Sequence, residues 1–294
     1  MRKKDRIKKK FISIAFKNYA KNLKMYNQCK KFSHKQKSNM LVKQKFIAIG
    51  GNFAPLRCSD QYVAVLDINW SCIRGRKVAW EGACGLDNSN ITNENERKKI
   101  NDKVKKEKDC KVIALVLESP HKHEFFNNDT IRENPCPAMG TTGENIHKYF
   151  SECLFKFIPY KKDKNKSVKI NNCIKMLNGK YKVVLINAIQ YQCSLGKDTK
   201  TFRDKIFSEM WENKEVKDCF RTRLGSYNPD IIINCCTKGH YGDSEEDKKN
   251  YLRKKVQDEI NDYCNSIIHK TILKLCGTHP SSYHFRNGFS LADD

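Results

Sequence analysis

Residues 112–117 constrain the fold of this chain more than any other stretch. All of them are apolar, several are β-branched, and the dipeptide Ser119-Pro120 closes the run. This pattern is typical of a strand that is buried on both faces, as in a parallel sheet covered by helices. Ligands bind at the carboxyl ends of such strands, so the polar residues 118–124 are candidates for chemistry.

Three later runs have the same character, namely YKVVLIN, DIIINCC and LKLC, and helical patterns separate them. The alternation over residues 110–294 predicts an α/β fold, a three-layer α/β/α sandwich around a central, mostly parallel sheet. Glu118, Asn187 and His279 each follow a predicted strand. Because parallel strands end at one sheet edge, we expect these three side chains to converge there.

The preceding residues divide into two parts. Residues 1–45 predict a basic helical arm, since residues 1–50 hold sixteen Lys or Arg against a single acid, Asp5. The arm is either a DNA-tracking element, a solvated tail or, less favoured, a membrane-surface helix. Residues 46–108 predict a small β-meander, from the runs FIAIGGNF, QYVAVLDINW and RKVAWEGACG, and then a polar helix. Residues 109–294 form the predicted catalytic domain.

Charge and cysteine usage narrow the possible partners and the compartment. The net charge of +24 suits a nucleic acid or another anionic partner. No apolar run is long enough for a membrane span, and the basic N-terminus lacks the features of a signal peptide. The fourteen cysteines include no C-x-x-C pair, which predicts reduced thiols in a cytoplasmic protein and no metal site.

Five segments, in chain order, resemble motifs of the uracil-DNA glycosylase superfamily. They are LESPHKHEF, PAMGTTGENI, VVLINAIQYQ, NPDIIINCCTKGH and GTHPSS, and they span about residues 110–290. The second segment is similar to the Pro-Phe-x-Gly-x-x-Gly stretch of the bacterial and archaeal iron–sulfur branch. That branch requires four spaced cysteines, and this chain has no such set, so we expect no cluster and no other cofactor.

The resemblance implies a base-flipping enzyme that hydrolyses an N-glycosidic bond. Glu118 would stabilise the positive charge on the sugar and orient water, whereas His279 would donate a hydrogen bond to the departing base. Asn187 would read the base edge. The remaining expected contacts fall into two groups. The base pocket would include Ser119, Pro120, His121, Ala138 and Met139, and DNA would be held by Thr141, Thr142, Ser281, Ser282, Tyr283 and Arg286.

Departures from the family pattern point to an unusual substrate. Leu117 stands where the family has Gly, and Ser119-Pro120-His121 replaces an Asp-Pro-Tyr turn. The base-stacking Phe aligns with Ala138, a loss of stacking on the order of 1–3 kcal/mol for plain uracil. The expected space favours a modified pyrimidine with a bulky C5 group, such as phage DNA carries, and hence a role in defence against phages.

Several alternatives remain open on the sequence alone. The enzyme is otherwise a uracil-repair glycosylase, a non-catalytic DNA-binding protein on the same fold, or a metal-dependent nuclease using His121, His123 and Glu124. Glu124 also rivals Glu118 as the functional carboxylate. Each proposed site residue has a structural reading too: Glu118 as a helix cap, Asn187 as a partner of loop backbone, and His279 as a strand-end histidine.

Overall fold

A computed structural model describes residues 57–68, 94–127, 130–156, 179–194 and 199–292. The predicted basic arm, residues 1–45, lies outside the described residues, as do the runs FIAIGGNF and RKVAWEGACG. The strands are β1 (Gln61–Ile68), β2 (Lys111–Leu117), β3 (Phe126–Asn127), β4 (Thr130–Ile131), β5 (Gly179–Asn187), β6 (Ile231–Asn234), β7 (Leu273–Cys276) and β8 (Ser290–Leu291).

The helices alternate with these strands as the sequence pattern predicts. They are α1 (Glu94–Lys106), α2 (Lys122–Phe125), α3 (Thr141–Lys156), α4 (Lys205–Trp211), α5 (Lys214–Tyr227), α6 (Glu245–Lys249) and α7 (Leu252–Asn265). A π-helical turn, Lys200–Asp204, leads into α4, and a 3₁₀ turn, Tyr283–Asn287, follows β7. Among the described helices, none combines the length and the apolar character that crossing a bilayer requires.

The main sheet has six strands in the order β1-β5-β2-β6-β7-β8. The four central strands are parallel, and β1 and β8 add antiparallel edges. From β2 the chain crosses to β5 on one side and then to β6 on the other. This reversal is a topological switch point, the place in an open α/β sheet where a crevice forms between diverging connections.

The central run is apolar throughout because both faces of β2 are covered. Its residues Ile113, Leu115 and Leu117 pack in one core with α3. The intervening Val112, Ala114 and Val116 pack on the opposite face with α4, α5 and α7. The predicted three-layer α/β/α architecture with a mostly parallel sheet is therefore confirmed.

The described part of the predicted meander joins this same sheet. β1 pairs with β5 in an antiparallel register from Gln61 opposite Leu185 to Ile68 opposite Gly179. The polar helix predicted before residue 109 is α1, and its Ile100 and Val104 pack on Val65 of β1. Residues 57–68 and 94–106 therefore lie at the β1 edge of the same sheet that forms the centre of residues 109–294.

Candidate active site

A cavity of about 640 Å³ opens at the carboxyl ends of the central strands. It is bordered by the residues that follow β2, β5, β6 and β7, and by the first turn of α3. Glu118, Asn187 and His279 all line it. The switch-point topology accounts for this convergence, because the loops after β2 and its neighbours diverge to opposite faces and leave a crevice between them.

Glu118 is a buried carboxylate in the cavity wall. Its Oε2 accepts a hydrogen bond from the Thr237 N–H at 3.3 Å and lies 3.4 Å from Nε2 of His279. Its Oε1 lies 3.9 Å from a guanidinium nitrogen of Arg203. Groups from three separate loops therefore hold one carboxylate, and the side chain does not cap the short helix α2, whose N-cap is His121.

His279 is arranged as a neutral hydrogen-bond donor. The Ser281 N–H donates to its Nδ1 at 3.2 Å, and the Ser281 hydroxyl lies 2.8 Å from the same atom. Because Nδ1 accepts, we assign the ring proton to Nε2, the nitrogen that faces Glu118. Burial lowers the pKa of His279, and the neighbouring Glu118 only partly opposes this shift. The neutral ring thus presents an N–H at the cavity.

Asn187 ends β5 with its side chain buried and bordering the cavity. Its Nδ2 donates to the Sγ of Cys58 at 3.5 Å. Its main-chain carbonyl accepts a hydrogen bond from the guanidinium of Arg223 on α5 at 2.8 Å. Within the part of the chain that the structure describes, the amide oxygen and the second amide N–H have no other hydrogen-bond partner. They are the donor and acceptor pair that the sequence predicts for a ligand.

Two further titratable groups line the cavity from the turn after β2. Burial raises the pKa of Glu124 to about 7, and its Oε1 accepts from the Ala138 N–H at 3.2 Å. Its Oε2 is buried and has no hydrogen-bond partner among the described residues. Burial lowers the pKa of His121 to about 4, and its Nδ1 accepts from the His123 N–H. Glu124 is therefore a neutral acid over part of the physiological range.

His121, His123 and Glu124 are not arranged as the ligands of a metal ion. The two imidazoles stack on each other, with ring centroids 4.8 Å apart. Within the described ranges, no group of three or more His, Cys, Asp or Glu side chains is placed to hold a metal ion. The nuclease hypothesis consequently has no ligand set among these residues.

The predicted base pocket is only partly at the cavity. Ser119 and His121 border it, whereas Pro120, Ala138 and Met139 are buried and are absent from its lining. Ala138 has a left-handed backbone with φ of 60°, and its side chain packs in the core with α3. The expected space beside Ala138 is thus not part of the cavity, whose wall here is formed by residues 140–142.

The predicted DNA contacts surround the mouth of the cavity. Thr141 and Thr142 form the first turn of α3, and Ser281 and Ser282 follow His279; all four line the cavity. Asn145 of α3 donates to the Pro280 carbonyl at 2.6 Å, which joins these two segments. Free N–H groups at the start of a long helix favour anions, so this rim suits phosphates.

Tyr283 and Arg286 lie just beyond this rim. The Tyr283 side chain is 77% exposed, which is unusual for a large aromatic residue. The Arg286 guanidinium stacks over its ring at 4.0 Å from the centroid. An exposed, stacked aromatic ring beside a cavity is suited to contact the bases of a duplex.

Sequence reasoning missed the cationic side of the cavity, which is lined by Arg203, Lys238 and Arg253. Lys238 follows β6, so the strand-end argument applied to Glu118 also identifies this position. Arg203 has no such signal, because it lies in a π-helical turn within a run that has an ordinary helical pattern. Its Nε donates to Asp204 at 2.7 Å, which leaves the rest of the guanidinium near Glu118.

Glu124 and His121, the two titratable groups in the turn after β2, should make the stability of the protein depend on pH. Glu124 has a folded-state pKa of about 7 against an ordinary 4.5, so its contribution is complete below pH 4.5 and is lost as the pH rises through 7. We expect the unfolding free energy to fall by roughly 3 kcal/mol across this window from this residue alone. Glu124→Gln should remove this contribution from the pH dependence of the unfolding free energy.

Urea unfolding at pH 5 and pH 8 measures this difference. The matched control is Glu133→Gln, which changes an exposed carboxylate outside the cavity lining and should retain the wild-type pH dependence. His121 acts in the opposite direction, since its folded-state pKa of about 4 lies below the ordinary 6.5, so its contribution is lost in acid. An unchanged pH slope in Glu124→Gln would contradict the assignment of the neutral acid.

No protein-family model, curated protein or solved structure matches this chain. The functional argument therefore rests on the cavity itself. Its central features are a buried carboxylate, a neutral imidazole donor 3.4 Å from it, and a buried amide on the adjoining strand.

Proposed function

We propose that this protein is a DNA glycosylase that flips a modified pyrimidine into the cavity and hydrolyses its N-glycosidic bond. The observation that carries the proposal is the 3.4 Å approach of Nε2 of His279 to Oε2 of Glu118 in the cavity that Asn187 also lines. The bond between C1′ and the base nitrogen breaks, water supplies a hydroxyl to C1′, and its proton is transferred to the base. The products are an abasic site and the free base.

The carboxylate acts on the sugar side of this reaction. Positive charge develops at the anomeric carbon as the base departs, and a fixed carboxylate stabilises it and orients the attacking water. The Thr237 N–H and Arg203 hold the Glu118 carboxylate in place without occupying both of its oxygens fully. No reorganisation of the protein is then needed as the charge develops.

The imidazole and the amide act on the base side. The His279 Nε2–H supports the negative charge that grows on a carbonyl oxygen of the departing base. The free donor and acceptor of Asn187 recognise the Watson–Crick edge of a flipped pyrimidine. Glu118 and His279 therefore stabilise opposite charges at the two ends of one breaking bond.

The size and lining of the cavity support a modified base over plain uracil. Its volume of about 640 Å³ lies in the range, roughly 300–1,000 Å³, of pockets that bind drug-sized ligands. Thr199, Thr237, Arg203 and Lys238 add hydroxyl and cationic groups to the wall. A polar, bulky substituent at C5 of the base would occupy this space. Because phage DNA carries such bases, we favour a biological role in defence against phages.

The charge of the chain supports DNA as the partner. The net charge of +24 supplies non-specific attraction to phosphates, which weakens as salt rises. The ten cysteines that the structure describes are all free thiols, which is consistent with action in a reducing cytoplasm.

A glycosylase assay on three DNAs tests the proposal. The duplexes carry uracil, 5-hydroxymethylcytosine or glucosylated 5-hydroxymethylcytosine, and alkaline cleavage reveals abasic sites. We expect product from a hydroxymethylated or glucosylated substrate, in the presence of EDTA. Efficient release of uracil alone would favour the repair enzyme instead, and EDTA-sensitive strand cleavage would favour a nuclease.

The alternative is a non-catalytic DNA-binding protein on this fold. The replacement of Asp-Pro-Tyr by Ser119-Pro120-His121 and the high net charge favour it. It predicts tight, salt-sensitive DNA binding with a linear dependence of log K on log salt concentration, and no abasic product from any substrate.

The exposed ring of Tyr283 leads to a further prediction. If the ring fills the space left by a flipped base, Tyr283→Ala should reduce kcat/KM on duplex DNA by about tenfold, a loss within the usual range for base–aromatic stacking. Activity on single-stranded DNA should change little. The control is Ile268→Ala, which removes another exposed apolar side chain outside the cavity lining. Equal losses on both substrates would argue against the wedge role.

A further inference from the structure

The side chain of Asn187 is held by a segment that lies far from it in sequence. Its Nδ2 donates to Sγ of Cys58, a residue that precedes β1 and is fully buried. The Cys58 N–H in turn donates to the Gln190 carbonyl at 2.8 Å, three residues beyond Asn187. Burial raises the pKa of the Cys58 thiol, so the sulfur remains a neutral, weak acceptor.

The main chain of the same strand end is fixed by a buried ion pair. One guanidinium nitrogen of Arg223 donates to the carbonyls of Asn187 and Ala188 at 2.8 and 3.0 Å. Its other terminal nitrogen contacts both carboxylate oxygens of Asp60 at 2.7 and 2.9 Å. The side chains are only 14% and 3% exposed, so the pair is shielded from water and joins α5 to the segment before β1.

A third contact closes the network around this strand end. The Gln190 side-chain amide donates to the Asp60 carboxylate at 2.8 Å. The segment at residues 58–60 thus contacts the side chain of Asn187 directly, and its main chain through Gln190 and Arg223. These contacts hold the main chain at Asn187, and the contact from Nδ2 to Sγ of Cys58 restrains its side-chain amide.

The orientation of the amide matters because its two ends differ chemically. An amide offers one acceptor oxygen and two donor hydrogens, and a half-turn exchanges the positions of oxygen and nitrogen. One orientation matches an imide edge, with N–H at position 3 and oxygen at position 4. The reverse orientation matches a cytosine-type edge, with a bare nitrogen at position 3 and an amino group at position 4. In the structure Nδ2 donates to the Cys58 sulfur, which places the nitrogen of the amide toward Cys58 and its oxygen away from it.

We propose that Cys58, Asp60 and Arg223 are positioning residues that set the orientation of the Asn187 amide and so determine which base edge the cavity accepts. This inference rests on the proposed function, in which Asn187 reads the base. It makes the segment before β1 a determinant of specificity. Cys58, Asp60 and Arg223 would act through Asn187 and not by touching the breaking bond.

The experiment compares two bases that share a substituent and differ only at the edge in question. Duplexes carrying 5-hydroxymethyluracil or 5-hydroxymethylcytosine at one position are cleaved by wild type, Cys58→Ala and Cys58→Ser. We expect Cys58→Ala to reduce the wild-type ratio of the two kcat/KM values at least about tenfold, a difference of about 1.4 kcal/mol. Cys58→Ser retains an acceptor and should preserve most of the ratio.

A matched control separates specificity from general damage. Cys153→Ala removes a fully buried thiol from α3 and should leave the ratio unchanged, even if stability falls. Arg223→Lys keeps the charge but loses the forked geometry, so we expect it to shift the ratio in the same direction as Cys58→Ala. A ratio in folded Cys58→Ala equal to that of wild type overturns the inference.

A second readout does not depend on catalysis. The side-chain amide of Asn187, identified by its loss in Asn187→Asp, is followed by NMR in protein labelled with ¹⁵N-asparagine. We expect its protons to exchange with solvent at least about tenfold faster in Cys58→Ala than in wild type. If wild type cleaves no substrate, the glycosylase proposal fails while this measurement still decides the positioning role. Unchanged exchange rates contradict that role.

Discussion

Replacing Glu118 with glutamine should slow release of the base by about 10³-fold, within the range observed when a positioned acid or base is removed. Glutamine has the same shape and can still accept the Thr237 N–H through its amide oxygen. It carries no negative charge, so it cannot stabilise the cationic sugar or polarise water. Affinity for DNA should change little, because this interaction develops only in the transition state.

Single-turnover kinetics on the preferred substrate provides the measurement, together with binding titrations at two salt concentrations. Glu133→Gln is the matched control, since it removes one exposed negative charge and should retain full activity. A Glu118→Gln enzyme that still cleaves at the wild-type rate would move the catalytic assignment to Glu124, which borders the same cavity. The double variant would then be silent.

Removal of the His279 imidazole should lower the single-turnover rate by about 10²- to 10³-fold, as expected for loss of one preorganised donor to a developing anion. The size of the loss should depend on the leaving group. A base with an electron-withdrawing substituent departs with better-stabilised negative charge and needs the donor less. His279→Ala should therefore be least damaging on the substrate with the most acidic base.

The comparison uses a series of 5-substituted pyrimidines, with His269→Ala as the control because His269 is exposed and outside the cavity lining. The lowered pKa of His279 favours the neutral ring. Its protonation should therefore cause no loss of rate between pH 7 and 8. A loss independent of leaving group would assign His279 a purely structural role at the strand end.

The sheet was predictable because burial on two faces leaves an unmistakable pattern. β2, β5 and β6 each contain a continuous apolar run, and parallel strands align their ends. The meeting of Glu118, Asn187 and His279 therefore follows from elementary geometry. The position of β1 was not predictable in the same way. Its QYVAVLDI run fits a separate meander as well as it fits an antiparallel edge, and only the long-range pairing with β5 distinguishes these.

The resemblance to the glycosylase family predicted the wrong residue for one wall of the cavity. Counting residues places Ala138 at the position of a stacking aromatic ring. The chain, however, adopts a left-handed conformation at Ala138, and its N–H is held by Glu124, so the side chain turns into the core. Contributions from Cys58, Arg203 and Arg223 were equally hidden, because their roles come from contacts between segments rather than from any local motif.

The Asp60–Arg223 pair joins residues that are 163 positions apart, and the Cys58–Asn187 contact spans 129. Contacts of such sequence separation close large loops and form only when most of the chain is present. A nascent chain that has not yet released Arg223 from the ribosome cannot complete the pair. If the protein acts as proposed, base selectivity is therefore expected to arise late in synthesis, and a truncated product is expected to lack it.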